Sequence, residues 1–169
     1  FVAFDLRISD QIPPTIIDIG LSQWCLDGGS RNRTYHWQIK EPSRRGTTKS
    51  RWETDTFLYG TTKSIHSSEI RHFLSSLFHH FRSSYINICL VGHHVQRKLD
   101  LLQSYAHIPD EFIIIDTQRV WQAHCEHEGD ATLGYCLEST SNLNPGDVEN
   151  NSGNAAHAIL ELTKYLGQA

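Results

Sequence analysis

The 169-residue chain has 38% hydrophobic residues and a formal net charge of −4, which suits one globular domain over residues 1–169 and argues against a phosphate-gripping surface throughout. Its four cysteines, Cys25, Cys89, Cys125 and Cys136, are too scattered for a disulfide scaffold, and Cys25 and Cys89 sit in apolar runs as reduced core positions. No apolar run reaches membrane-span length and no signal peptide is visible, so an intracellular domain is expected; the start on a strand and the lack of Met lead us to expect that it is cut from a longer protein.

Phe1 to Ile8 reads as a first strand and Thr15 to Leu26 as a second, with Pro13-Pro14 in the turn between them. Asp27-Gly28-Gly29-Ser30 is a turn, and Thr34 to Lys40 alternates as a third strand, making an antiparallel meander. Glu41 to Thr62 is rich in Arg, Ser, Thr and Gly and carries Trp52, Phe57 and Tyr59. It reads as a long partner-facing loop whose aromatics need a surface to pack on.

From Ser64 to Arg82, Ile70, Phe73, Leu74, Leu77, Phe78 and Phe81 recur at helical spacing, and Ser67 or Ser68 can cap the start. A strand at 85–91 is followed by a helix at 93–106, a strand from Phe112 to Ile115, and a helix from Thr117 to His127 capped by Asp116 or Thr117. A short helix at Leu133 to Leu137, a polar loop at Glu138 to Asn151, and a helix from Asn154 to Leu166 complete the chain. A meander followed by alternating helix and strand implies an α/β fold, a mixed sheet with two parallel strands added and helices on both faces.

In that order the elements resemble the RNase H-like arrangement of the DnaQ-like DEDD 3′–5′ exonucleases. Phe1-Val2-Ala3-Phe4-Asp5-Leu6 resembles that family's first motif, and Ile17-Asp18-Ile19-Gly20 sits where its members carry Ile-Gly in strand two. Leu90-Val91-Gly92-His93, with Leu99 and Leu102, is similar to the frame of the second motif, and Ile115-Asp116-Thr117 resembles the Asp-Thr opening the next helix. Asn150-Asn151-Ser152-Gly153-Asn154-Ala155-Ala156 is similar to the third motif, His-Asn-Ala-Gly-Asn-Asp-Ala. Within the superfamily the chain most resembles the fungal exonuclease-like group related to a factor in messenger-RNA export.

The resemblance implies carboxylates holding two divalent ions about 3.5–4 Å apart, which activate water and stabilise the leaving oxygen. Carried over residue by residue, the first acid is Asp5, but its partner is Arg7 on the same strand face. The second-motif acids become His94 and Lys98, the last acid becomes Ala155, and the general-base histidine becomes Asn150. Asp100 lies about 200° around the helix from Lys98 and points elsewhere. Asp18 is expected to cap or pair within strand two, whereas Asp147 and Glu149 are loop acids able to swing in; His157 turns away from the cleft.

These replacements predict a catalytically inactive domain, with no cofactor, in which Arg7 and Lys98 converge near Asp5 as a charge cluster standing in for the ions. A functional alternative is an anion site of Arg7, His93, His94 and Lys98 for a phosphate or a partner's carboxylate. Trp52 and Tyr59, beside the basic stretch from Arg44 to Arg51, are further binding candidates. A protein partner is favoured over RNA by the acidic balance, and no membrane partner is expected. The opposing reading is a 3′–5′ exonuclease that uses Mg²⁺ or Mn²⁺ through Asp5 and unconventional acids.

Eleven histidines raise the question of zinc, but Cys125, His127 and Cys136, with His124, have no recognised zinc spacing. His79-His80 suits a helix C-terminus. There is no Gly-x-Ser-x-Gly elbow, phosphate-cradling glycine loop or dinucleotide fingerprint.

Overall fold

The structure is a computed structural model that describes residues 1–26, 32–41, 56–126, 129–140 and 143–168, with the side chain of Glu149 left aside. Strands β1 (Val2–Ile8), β2 (Ile16–Gln23), β3 (Arg33–Lys40), β4 (Lys63–His66), β5 (Cys89–Gly92) and β6 (Ile113–Asp116) form one sheet in the order β4-β3-β2-β1-β5-β6. β1, β2 and β3 pair antiparallel, and β4, β5 and β6 each join a parallel neighbour. This is the mixed α/β sheet expected of an RNase H-like fold.

Period-two alternation along β1 splits its side chains between two layers. Val2, Phe4 and Leu6 face α1 (Ile70–Ser84) and α2 (Gln96–Tyr105), where Leu74, Phe78, Phe81 and Leu102 complete the main apolar core. Ala3 faces the other way and packs with Val91 against Ile159 and Leu160 of α6 (Ser152–Leu166). α3 (Thr117–His124) and α4 (Leu133–Thr140) lean on α6 through Trp121, Cys136 and Leu162, and α5 (Gly146–Glu149) packs through Val148.

Close backbone approach decides where α6 lies. A Cβ on Gly20 would fall 1.7 Å from Ser152 O, and one on Gly153 would meet the His36 Cβ and the Phe57 ring at 2.8 Å. Glycine at both places lets the helix start press onto β2 and β3.

Several boundaries differ from expectation. Ser64 to His66 belong to β4, not to the long helix: Lys63–His66 pair with Trp37–Lys40, and a 3-10 turn at Ser67–Glu69 precedes α1. Only Ile65 of β4 is buried, so backbone pairing to β3 outweighs a helical pattern that begins in earnest at Ile70. The strand expected from residue 85 starts at Cys89, leaving Ile86 fully exposed. The polar loop after Leu137 holds the last turn of α4 and all of α5. Trp52, His127 and the basic stretch Arg44 to Arg51 lie outside the described residues. No helix among the described residues is long and apolar enough to cross a membrane.

Candidate functional site

The site is built where β1, the β5–α2 junction and the start of α6 meet. At the junction a Cβ on Gly92 would fall 2.6 Å from Val95 Cγ1 and 3.2 Å from the Phe4 ring, so the chain turns tightly there. His94 then adopts a left-handed backbone with φ of 53°. The Asp116 carboxylate holds that turn, accepting from the His94 amide at 2.9 Å and the Val95 amide at 3.1 Å. The same carboxylate caps α3 through the Gln118 amide at 3.1 Å.

One helical turn on, Lys98 reaches back across the cleft. Its Nζ donates to Asp5 Oδ1 at 2.6 Å and to His93 O at 2.9 Å, with both charged side chains mostly shielded from solvent. Lys98 therefore converges on Asp5 as the sequence implies. Arg7 does not: its Nη2 lies 2.6 Å from Asp18 Oδ2, and its Nη1 donates to Asn150 O at 3.0 Å. The β1–β2 register sets this partnership, because Arg7 stands opposite Asp18.

Asp18, expected to cap or pair within strand two, is instead fully buried between Arg7 of β1 and His36 of β3, whose Nε2 is 3.7 Å away. No well-directed hydrogen bond reaches either Asp18 oxygen among the described residues, so the contact is an ion pair rather than a fork of hydrogen bonds. His36 in turn places Nδ1 2.9 Å from Thr62 Oγ1 and its ring against Phe57.

His93 is buried, with Nδ1 3.0 Å from Thr117 Oγ1 and Nε2 2.7 Å from Ala131 O. Burial lowers its pKa and favours the neutral ring, partly opposed by the Ala131 carbonyl. Nε2–H then donates to Ala131 O, and the single Thr117 hydroxyl proton is shared between His93 Nδ1 and Gly92 O, 3.1 Å away. His93 is thus a structural peg between β5, α3 and the loop before α4, whereas His94 is exposed beside it.

The third-motif residues organise the helix start. Asn151 caps α6 through the Asn154 amide at 3.1 Å, and Asn154 receives the Leu58 amide at 3.0 Å while donating to Thr56 O and Asp147 O. Asn154 therefore ties the end of the long loop to α5 and α6. Sequence reading did not assign it that role; an asparagine surrounded by small residues at a helix start was the available signal. Ala155 is buried and offers no oxygen ligand, and Asn150 contributes its backbone carbonyl to Arg7.

Tyr59 lies to one side, its ring stacked on His157 at 3.7 Å between centroids. Burial lowers the His157 pKa, with Glu161 opposing, and raises that of Tyr59, with Asp147 and Glu161 adding to the rise. His157 Nδ1 is 3.3 Å from Thr34 Oγ1, so this pair braces the outside of α6.

The two-ion centre implied by the resemblance does not fit these side chains. Asp5 Oδ1 is held by an ammonium, Arg7 is committed to Asp18, and Asp100 accepts from Gln96 at 2.9 Å on the outer face of α2. Asp147 is exposed. Among the described residues, no group of three or more His, Cys, Asp or Glu side chains is placed to hold a metal ion.

The sequence matches the profile of the DNA polymerase III subunit epsilon-like, C-terminal domain family over residues 1–166. No curated protein matches the chain. The matched length, the strand order and the Gly92-His93, Asp116-Thr117 and Asn151-to-Ala156 frames agree with one another, and the chain belongs to the DNA polymerase III subunit epsilon-like C-terminal domain family of the DnaQ-like exonuclease superfamily.

Proposed function

We propose that this exonuclease-like domain does not hydrolyse nucleic acid and serves as a protein-binding or assembly module in an intracellular, RNA-metabolic setting, akin to the fungal group it resembles. The supporting observation is the Lys98–Asp5 contact at 2.6 Å: a fixed cation occupies the coordination space of the one acid kept from the first motif. A hard divalent ion needs several oxygen ligands, and a neighbouring ammonium repels it. The same pairing weakens a phosphate-binding reading, because Lys98 and Arg7 spend their charge on Asp5 and Asp18.

The test joins calorimetric titration with Mn²⁺ to digestion of a labelled oligonucleotide. Neither Asp5-dependent Mn²⁺ binding nor shortening of the strand is expected. Tight ion uptake lost in Asp5→Asn, together with cleavage, overturns the proposal. A salt-dependent gel shift abolished by Lys98→Glu transfers the reading to non-cleaving RNA binding.

A further inference from the structure

The two edges of the sheet are guarded unequally. β4 closes one edge with Lys63, Ser64 and His66 exposed and a single buried isoleucine. β6 closes the other with an unbroken Ile113-Ile114-Ile115, of which Ile113 is 55% and Ile114 40% exposed. Edge strands are usually protected by charge, proline or a covering element. Among the described residues β6 has no strand on its outer side.

Its backbone is poised for pairing. Ile113 donates its amide to Ile88 O at 2.9 Å, toward β5. Alternation along the strand turns the Ile114 N–H and C=O away from β5, to the open side. Two grooves flank that edge. One, of about 450 Å³, lies between the start of α2 and α3 and is floored by Val95, Leu99 and Ile114. The other, of about 380 Å³, is walled by Trp24 and Leu166, and both grooves share Ile115 and Val120. Arg119 stands exposed in the wall of the first groove; Asp116 lines the same groove, but its carboxylate is taken up by the His94, Val95 and Gln118 amides, and no carboxylate among the described residues forms an ion pair with Arg119.

We propose that the free edge of β6 takes an extended segment of a partner protein as an added strand, its alternate apolar side chains entering the two grooves and a carboxylate meeting Arg119. Main-chain bonds supply the attachment and the alternate pockets the selectivity, as in other strand-addition complexes. Arg119 decides the occupant. In a two-fold pairing of β6 with β6 of a second copy, each protomer would present the same unpaired cation beside the shared edge, whereas an acidic segment neutralises it. The inference rests on the protein-binding reading above, giving it a place and a partner chemistry.

A phage-displayed random decapeptide library selected on the intact chain tests it. The enriched peptides, synthesised with a fluorophore, are measured by anisotropy against the chain, Ile114→Lys and Arg119→Glu. Alternating apolar residues with an Asp or Glu are expected in the winners. Ile114→Lys should weaken binding about tenfold or more. Arg119→Glu should weaken it several-fold, with recovery when the peptide's acid becomes Lys, and hydrogen exchange should slow at the Ile114 amide. Both positions are exposed, and an unchanged thermal midpoint certifies the fold of each variant. Failure to enrich, winners that bind Ile114→Lys equally well, or a concentration-dependent dimer dispersed by Ile114→Lys each overturn it. The oligonucleotide digestion reads the inert cleft separately, so cleavage with intact peptide binding sinks only the inactivity.

Discussion

The two faces of the sheet are held by different physics. Beneath α1 and α2 lies a continuous apolar layer in which Leu74, Phe78, Phe81 and Leu90 are nearly or fully buried. Beneath α6 the facing side chains are Ala3, Asp5, Arg7, Asp18, Ser22 and His36, closed by Ser152, Gly153, Asn154 and the alanines that follow. The first face is stabilised by area, the second by close backbone contact and matched charge. An enzyme of this fold needs the second face to gather acids. Here its charges are paired internally, Lys98 with Asp5 and Arg7 with Asp18.

Truncation should separate the faces most sharply. Phe81→Ala removes a fully buried ring and is expected to cost about 3–5 kcal/mol in chemical denaturation. Gly20→Ala adds one methyl group, yet should cost about 3 kcal/mol, because its Cβ would overlap Ser152 O unless α6 moves. If Gly20→Ala proves neutral, the tight seat of α6 on β2 is disproved.

Lys98→Met comes next. It strands Asp5 in a mostly shielded position and should cost about 2 kcal/mol, less than a fully buried pair because both groups keep some solvent contact. Adding Asp5→Asn should restore much of that loss. A double-mutant cycle with no coupling would show that the pair contributes nothing.

The smallest effect is on pH dependence. Burial lowers the pKa of His93 and His157 in the fold, so the unfolded chain binds more protons at mildly acid pH. Their contribution is complete above the unfolded histidine value of about 6.5 and fades as pH falls through it toward the lower folded values. Denaturation midpoints should therefore drop between about pH 6.5 and 5, and His93→Gln should flatten the slope. An unchanged slope would show that His93 is not held neutral by its surroundings.

The apolar face was legible because each of its elements carries its own period: alternation in β1, and three- and four-residue spacing from Ile70 to Phe81. The cleft was half legible. Motif spacing brings Lys98 to Asp5, since a strand end and the next helix leave little freedom. Arg7 defied the same reasoning, because its neighbour across β2 is an acid and the chain order of strands does not state their register. β4 was missed for a related reason: a four-residue strand with one buried side chain carries almost no period and exists by pairing with β3.

By itself the sequence determined the fold family, the order of most elements and the replacement of the acids, because these depend on residue type and local periodicity. Only the tertiary structure decided which cation meets which carboxylate, that His93 is buried against Thr117 and Ala131, and that β6 ends the sheet with an apolar edge. Those depend on register and on which strand ends the sheet, and both follow from long-range pairing that no local run of residues encodes.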